Sequence, residues 1–145
     1  MTLRPRRDAD LPELVDRLAE THRLDRYPVR PASVRAGWLT AHDGPAFVAL
    51  VAGRPVGHVA VHGHGPCEIV RFFVAPAARG RGLAGALLDR AVTAARLRSD
   101  DVVLQVMEHN IAAIGFYERI GWRRTGASTM DWDDERRSCF WYTAP

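Results

Sequence analysis

The sequence contains no lysine, so all twenty of its basic side chains are arginine. Cysteine is also scarce, and Cys67 and Cys139 lie too far apart in the chain to form a metal-binding pair. Two such cysteines are typical of reduced, buried thiols, and we expect no disulfide framework. No apolar run approaches the roughly 18 residues that a membrane helix needs, and no apolar segment follows the charged N-terminus as in a secretory signal. We therefore expect a cytoplasmic protein without a membrane partner.

The charges are spread along the chain and are nearly balanced. Seventeen acidic residues oppose the twenty arginines, which leaves a formal net charge of +3. No long basic run marks a nucleic-acid-binding arm, so we expect no nucleic-acid partner, although the positive balance is compatible with an anionic ligand. A length of 145 residues with 47% hydrophobic residues predicts one globular domain spanning residues 1–145.

Apolar periodicity predicts a mixed α/β protein with the element order β-α-α-β-β-β-α-β-α-β-β. The clearest helix covers Gly82 to Leu97, and its expected inward stripe consists of Leu83, Leu87, Leu88, Ala91 and Ala95. Before this helix we expect a strand at Leu3–Pro5, a helix that Asp8 or Asp10 caps, and a second helix at Ala32–Ala41. Strands at Ala46–Val51 and Val56–Val61 follow, joined by the turn Ala52–Pro55, and then a strand from Cys67 that Pro76 stops. After the helix we expect a strand at Asp101–Met107, a helix between Asn110 and Gly121, and strands at Trp122–Met130 and Arg137–Thr143 joined by the acidic turn Asp131–Glu135. This order places a strand–helix–strand unit in the middle of the sheet.

The stretch RGRGLAGALL, from Arg79 to Leu88, opens the central helix with residues that are unusual at a helix start. The first turn of a helix has unpaired backbone N–H groups and a partial positive charge. Gly80 and Gly82 remove the Cβ atoms that would keep a ligand away, while Arg79 and Arg81 add positive charge. These features suit a phosphate or pyrophosphate. A tight turn with exposed arginines explains the same residues, and the stretch matches neither a Walker loop nor a GxGxxG fingerprint.

Two longer motifs surround this stretch. A strand ending in Val-x-Pro leads into Arg/Gln-x-x-Gly-x-Gly/Ala, and the positions are filled by Val74, Pro76, Arg79, Gly82 and Ala84. Further on, Asn-x-x-Ala precedes Phe-Tyr-x-x-x-Gly-Phe/Trp, and the positions are filled by Asn110, Ala113, Phe116, Tyr117, Gly121 and Trp122. Together these motifs resemble the GNAT superfamily of acyl-CoA-dependent N-acyltransferases, most weakly between Arg6 and His42. The resemblance implies a single-domain GNAT fold with a mixed, mostly antiparallel sheet that is splayed to hold acyl-CoA.

The resemblance also implies the ligands and where they bind. Acetyl-CoA would be the acyl-donor cosubstrate, an amine of a small molecule or protein would be the acceptor, and no metal would be needed. The backbone of Phe72, Phe73 and Val74 would pair with the pantetheine as an added strand does, and Asn110 would contact the donor besides capping its helix. A helix cap alone also explains Asn110. The pyrophosphate would lie on the turn formed by Arg79, Gly80, Arg81, Gly82, Leu83 and Ala84. The oligomeric state stays open, with a homodimer as one possibility, because dimers are common in the family.

Direct attack by an amine leaves three tasks, which are to remove its proton, to stabilise the oxyanion and to give the leaving thiolate a proton or a hydrogen bond. The resemblance makes Glu68 the candidate base, a backbone N–H near Phe72 the oxyanion donor, and Tyr117 the acid. An ordinary outward-facing strand residue explains Glu68 equally well, and other members of the family use water or other residues as the base. Tyr117 is alternatively a core tyrosine packed beside Phe116, and its acid role depends on a phenol that stays protonated at pH 7.

Several polar and aromatic residues have two interpretations. His58, His62 and His64 alternate along one strand and could bind a metal, although no carboxylate or cysteine at ligand spacing completes the set. The favoured alternative is that they line the acceptor side or pack under a helix. Three residues of the front segment, which covers the acceptor site in the family, either stack on a substrate or pack the two front helices: His22, Tyr27 and Trp38.

Two competing functions come from other classes. A CoA-binding regulatory or interaction domain without catalysis would keep the glycine-rich turn, but the presence of both Glu68 and Tyr117 argues against it. A nucleic-acid-binding module would need a basic face with interleaved aromatic residues, which the sequence does not show. The sequence therefore favours an N-acetyltransferase and leaves the acceptor amine open.

Overall fold

A computed structural model describes residues 2–132 and 135–145 of the chain. The element order over these residues confirms the predicted α/β fold class. The strands and helices are β1 (Thr2–Pro5), α1 (Leu11–Asp25), α2 (Ala36–Leu39), β2 (Ala46–Val51), β3 (Arg54–His62), β4 (Cys67–Val74), α3 (Leu83–Arg96), β5 (Val102–Met107), α4 (Ile111–Arg119), β6 (Arg123–Trp132) and β7 (Glu135–Thr143). The acidic turn predicted at Asp131–Glu135 is shortened by the two strands that flank it, and its centre, 133–134, lies outside the described residues.

The described strands form one sheet in the order β1-β2-β3-β4-β5-β7-β6. Its neighbouring strands are antiparallel except for β4 and β5, which are parallel and joined through α3. The parallel ladder pairs only Cys67–Ile69 with Val102–Leu104. Beyond Ile69 the rest of β4 has no ladder partner in β5 among the described residues. The sheet is therefore mixed, mostly antiparallel and splayed, as predicted, and it opens at the end of β4 that leads into α3.

Helices cover both faces of the sheet. On one face α3 packs against β2, β3, β4 and β5. Its predicted inward stripe is fully confirmed, because Leu83, Leu87, Leu88, Ala91 and Ala95 are all buried. On the other face, Leu14 and Leu18 of α1 form a second cluster with Leu39, Val48 and Phe73. Each leucine that is fully buried contributes on the order of 1.5–3 kcal/mol to the free energy of unfolding relative to an exposed one, so this burial fixes both helices on the sheet.

The turn between β2 and β3 is shorter than predicted. Only Ala52 and Gly53 form it, with φ angles of 53° and 76°, whereas Arg54 and Pro55 already belong to β3. Two consecutive residues with positive φ are typical of a type I′ turn, whose twist matches that of the flanking strands. The turn predicted at Ala52–Pro55 is therefore confirmed only for its first two residues.

The second front helix is also shorter than the predicted Ala32–Ala41. A 3₁₀ turn at Pro31–Ser33 and the four-residue α2 replace it. Arg35 separates them with an extended backbone, at φ −161° and ψ 158°, which no helix accommodates. The chain between α1 and β2 is therefore mostly irregular.

Asp10 precedes α1 as predicted, but its carboxylate caps no amide of that helix. It accepts the backbone N–H of Arg7 at 2.8 Å and forms a two-point ion pair with Arg4. The hydrogen bonds from Arg4 hold the pKa of Asp10 below its usual value. The aspartate thus fastens the end of β1 to the start of α1.

Both cysteines are buried free thiols, as predicted. Burial raises the pKa of the Cys67 and Cys139 thiols, which keeps them protonated. Within residues 2–132 and 135–145, no helix combines the length and the apolar character required to cross a bilayer.

Candidate active site

The separation of β4 from β5 opens a cleft with a volume of about 610 Å³. The segment between α1 and α2 forms one of its walls, and the start of α4 forms another. Eight of the twelve predicted site residues line the cleft, namely Glu68, Phe72, Phe73, Val74, Arg79, Ala84, Asn110 and Tyr117. The lining does not include the other four, Gly80, Arg81, Gly82 and Leu83, and the Leu83 side chain is buried in the core.

The glycine-rich turn presents free amides where α3 begins. Gly80 and Gly82 have φ angles of 81° and 77°, so the backbone path itself favours glycine at both positions. A Cβ at either position would meet no atom within 4 Å, which means that the space beside the turn is open. Among the described residues, none accepts a hydrogen bond from the amides of residues 80–85. Free amides beside open space and two arginines fit an anionic group of pyrophosphate size.

Arg79 joins this turn to the opposite wall of the cleft. Its Nη2 forms an ion pair with Asp25 at the end of α1, and its Nε donates to the Val74 carbonyl at 3.2 Å. The Nε2 of His109 donates to the Asp25 carbonyl at 3.0 Å. Asp25 therefore binds both flanks of the cleft, a role that no sequence motif indicates.

A bulge in β4 turns one backbone amide toward the cleft. His58 pairs with Phe73 and Ala60 with Val70, so β4 carries one extra residue, and Arg71 has a φ angle of 53°. The Phe72 N–H consequently leaves the ladder with β3 and donates to the Tyr27 hydroxyl at 3.1 Å. The amide predicted to serve the oxyanion thus faces the cleft, but it already has a partner.

Side chains on three sides hold the bulge in place. The His58 Nδ1 donates to the Arg71 carbonyl at 2.7 Å. The Arg71 guanidinium donates to the carbonyls of Trp38 at 2.8 Å and Ala41 at 3.3 Å, and it lies 4.3 Å from the centroid of a Trp38 ring. A lone arginine in the apolar strand CEIVRFFV is the sequence signal that this position is special, although it does not reveal the partners.

Glu68 lies in the cleft, where it is half-buried. The Nε2 of Gln105 on β5 donates to its Oε2 at 3.1 Å, and the Cys139 thiol on β7 donates to the Gln105 Oε1 at 3.3 Å. These bonds run across three neighbouring strands and fix the carboxylate orientation. The outward-strand interpretation of Glu68 is therefore incomplete, because its side chain faces the cavity and not open surface.

Tyr117 on α4 is only 7% exposed, and its ring packs among the rings of Phe72, Phe116, Trp122 and Tyr142. Burial raises the pKa of its phenol, so the hydroxyl stays protonated at neutral pH. No residue in the described part of the chain accepts a hydrogen bond from this hydroxyl, although the side chain lines the cleft. The core interpretation and the acid interpretation are compatible here, since the ring supplies packing and the hydroxyl remains a donor.

The ends of α4 hold Tyr117 at this position. The Asn110 side chain accepts the Ala113 N–H at 3.4 Å and caps the helix, as predicted. At the other end the Trp122 N–H donates to the Tyr117 carbonyl at 3.0 Å, and Gly121 has a φ angle of 95°. This is a Schellman motif, which requires a residue with positive φ where the sequence has Gly121.

The three alternating histidines occupy three different environments. His58 is fully buried and stacks on Phe73, whereas His62 lies beside Asp43 and His64 contacts Arg98. Burial lowers the pKa of His58 to about 3, so its ring is neutral. The separate partners favour the interpretation that these histidines pack and position neighbouring groups.

The three aromatic residues of the front segment are mainly packed against each other and the sheet. Tyr27 lies edge-on to Trp38 at 5.7 Å, and both line the cleft. His22 donates from Nδ1 to the Pro28 carbonyl at 2.6 Å and does not contribute to the cleft lining. Packing thus accounts for His22, while Tyr27 and Trp38 remain available to a ligand.

Comparison with known proteins gives consistent similarities. A family model described as the acetyltransferase (GNAT) family matches residues 11–122. An uncharacterized N-acetyltransferase of Methanocaldococcus jannaschii is 38% identical over 94 residues, which cover 58% of this chain and 42% of the relative. Peptidyl-lysine N-acetyltransferase YjaB of Salmonella typhimurium is 31% identical over 90 residues, covering 61% of this chain and 57% of the relative. The match thus spans about half the length of these curated relatives.

A solved structure extends the likeness of the fold to nearly the whole chain. Arabidopsis thaliana NAA60 in complex with acetyl-CoA superposes with a TM-score of 0.74 at 20% identity. The superposition covers 99% of this chain and 98% of that one. At this identity the similarity demonstrates the shared fold.

Proposed function

The chain belongs to the acetyltransferase (GNAT) family, and we propose that it transfers an acetyl group from acetyl-CoA to a primary amine by direct attack in a ternary complex. One observation carries the proposal: the free amides of residues 80–85 lie where α3 begins, at the same end of the sheet where β4 leaves β5. A donor with a pyrophosphate and an extended arm fits such a site, because the amides bind the anion and the unpaired edge of β4 binds the arm.

The residues of the cleft match the groups that acetyl-CoA presents. Arg79 and the amides of residues 80–84 would hold the pyrophosphate, and the backbone of Phe72–Val74 would pair with the pantetheine. Asn110, at the start of α4, would contact the donor from the other wall of the cleft. The acetyl-CoA complex of the structural relative NAA60 supports this choice of donor. The thioester supplies an activated acetyl group, and the chain supplies the positioning.

Three groups in the cleft suit the three chemical tasks. Glu68, which Gln105 orients, would accept the proton of the amine. The Phe72 N–H, which the bulge turns into the cleft, would donate to the thioester oxygen as negative charge develops there. The Tyr117 hydroxyl would donate a hydrogen bond to the leaving thiolate, because burial raises its pKa and so keeps the donor hydrogen in place.

The test is release of free thiol from acetyl-CoA in the presence of separate amine classes. Polyamines, aminoglycosides, amino acids and lysine-containing peptides form the set, and the peptides carry particular interest because YjaB is named a peptidyl-lysine N-acetyltransferase. Isothermal titration with acetyl-CoA and with CoA accompanies the assay. Amine-dependent thiol release supports the proposal. Tight CoA binding without release by any amine class would instead support a catalytically silent CoA-binding domain.

A further inference from the structure

The amide that the proposed reaction needs is already hydrogen-bonded within the protein. The Phe72 N–H donates to the oxygen of the Tyr27 hydroxyl at 3.1 Å. Arg71, with its φ angle of 53°, turns this amide out of the ladder with β3, and Tyr27 reaches it from the segment between α1 and α2. Residues 45 positions apart in the chain thus meet at the site of the acetyl group.

One N–H donates a full hydrogen bond to one oxygen at a time, because the bond weakens steeply away from a linear geometry. The Tyr27 oxygen therefore occupies the position where a thioester oxygen bound to Phe72 would lie. We propose that the Tyr27 hydroxyl holds this oxygen position in the donor-free protein and leaves the Phe72 amide when acetyl-CoA binds, but stays when CoA binds. The inference rests on the proposed function, since it takes the Phe72 amide as the acetyl site.

The surroundings of Tyr27 allow this exchange. Burial raises the pKa of its hydroxyl to about 12, so a neutral phenol leaves the amide and no charge is uncovered. The ring lies edge-on to Trp38 at 5.7 Å, and Trp38 in turn lies under the Arg71 guanidinium. Tyr27 is therefore in contact with Trp38 and with the amide of Phe72 in the bulge.

The consequence is a selective effect on the two CoA forms. CoA has no acetyl oxygen, so it leaves the bond between Tyr27 and Phe72 intact. Acetyl-CoA must replace that bond, so the Tyr27 hydroxyl makes the binding free energy of acetyl-CoA less favourable by the free energy of one hydrogen bond. Tyr27 thereby lowers the preference of the protein for the acylated donor over the CoA product.

The test measures dissociation constants of acetyl-CoA and CoA by isothermal titration for the parent and for Tyr27→Phe, which keeps the ring and removes the hydroxyl. We expect the ratio of the CoA constant to the acetyl-CoA constant to rise about 2- to 12-fold, which corresponds to one net hydrogen bond. Tyr142→Phe is the matched control, because its hydroxyl contacts Glu118 and Arg124 away from the cleft. That variant should keep the parent ratio.

An unchanged ratio in Tyr27→Phe overturns the proposal, and so does a lower ratio, which would mean that the hydroxyl donates to the acetyl oxygen. A second measurement needs no variant: the ¹⁵N–¹H signal of Phe72 in the parent should move further with acetyl-CoA than with CoA, because the pantetheine is common to both and only acetyl-CoA replaces the Tyr27 oxygen. Equal movement with both ligands overturns the proposal as well. A parent protein that binds neither ligand refutes the proposed function itself, so the two failures are distinguishable.

Discussion

Glu68 is held in the cleft by Gln105, and this pairing makes the proposed base testable by a small change. Glu68→Gln keeps a side chain that can bond Gln105 but cannot take a proton. We expect the rate with a good amine acceptor to fall at neutral pH and to recover toward the parent rate at alkaline pH, where the amine loses its proton unaided. The measurement is kcat/KM for the amine between pH 7 and pH 10. Equal parent and variant profiles would remove Glu68 from the mechanism.

Tyr117 combines a packed ring with a protonated hydroxyl, and Tyr117→Phe separates these two contributions. The variant keeps the contacts with Phe116 and Trp122 and removes only the donor. We expect kcat to fall about 10- to 1000-fold, within or just below the usual range for a positioned acid. The KM for acetyl-CoA and the Tm should change little, because the lost interaction strengthens mainly in the transition state. Turnover at the parent rate would show that Tyr117 is structural.

Individual site residues differ in how far the sequence reveals them. Tyr117 and Asn110 belong to a local motif, so their place on α4 follows from spacing alone. Asp25 and Gln105 are not predictable in this way, because their partners Arg79 and Glu68 lie 54 and 37 residues away in the chain. Only the packing of α1 and β5 beside β4 creates these contacts.

At the scale of elements, the start of α3 is the feature most open to a direct test. Gly82 precedes the helix with a φ angle of 77°, and aspartate tolerates this conformation and favours the N-cap position. Gly82→Asp should therefore fold, yet it places a negative charge and a side chain where the phosphates approach. Helix-terminus charge effects reach roughly 2 kcal/mol in buried geometry, and the steric block adds to them, so we expect CoA binding to weaken about 30-fold or more.

Gly53→Asp is the matched control for this substitution. Gly53 lies in the turn between β2 and β3 with a φ angle of 76°, and a Cβ there meets no atom within 4 Å. The two variants therefore bear the same backbone cost, but only Gly82 lies at the proposed phosphate site. Titration with CoA compares them. Equal affinity of the two variants for CoA would contradict the assignment of the turn.

Elements whose pattern repeats over several turns are predictable from the sequence, whereas short ones are not. The buried stripe of α3 and the end of α4 at Gly121 agree with their predictions. Both depend on residues close in sequence, namely the apolar periodicity of α3 and the positive φ angle that glycine adopts easily. The helix expected at Ala32–Ala41 fails because Arg35 adopts extended backbone, and tertiary contacts decide the path of so short a segment. The bulge at Arg71 is likewise set by its partners in other elements.

At the scale of the whole molecule, one arginine joins three parts of the fold. The Arg6 Nη1 lies within hydrogen-bond distance of three acceptors: the Leu39 carbonyl at 3.1 Å, the His42 Nε2 at 3.1 Å and the His58 Nε2 at 3.0 Å. His58 in turn holds the carbonyl of the bulge, so the chain just after β1 is linked to the proposed acetyl site. The order of the elements and the central strand–helix–strand unit are predictable from the sequence. The links made by Arg6 are not, because they join residues that lie 33 to 52 positions apart in the chain.

The buried His58 makes the stability of the whole molecule depend on pH. Burial is the main cause that lowers its folded pKa to about 3, and Arg6, His42 and Arg71 add to the effect, against a usual value of 6.5. The unfolded chain therefore binds a proton below about pH 6.5, whereas the folded chain binds it only near pH 3. Since the unfolded state holds more protons in this window, acid lowers the free energy of unfolding by ~1.4 kcal/mol per pH unit between roughly pH 5.5 and pH 4.

Removal of the imidazole should remove this contribution. His58→Gln loses bonds to Arg6 and Arg71, so it should be less stable than the parent at pH 7, and the difference should shrink steadily as the pH falls below 6. Urea unfolding of both proteins at pH 7, 6, 5 and 4.5 measures the difference. A constant difference in the free energy of unfolding between His58→Gln and the parent from pH 7 to pH 4.5 would contradict the prediction. It would show that His58 takes up a proton in the folded protein as readily as in the unfolded chain.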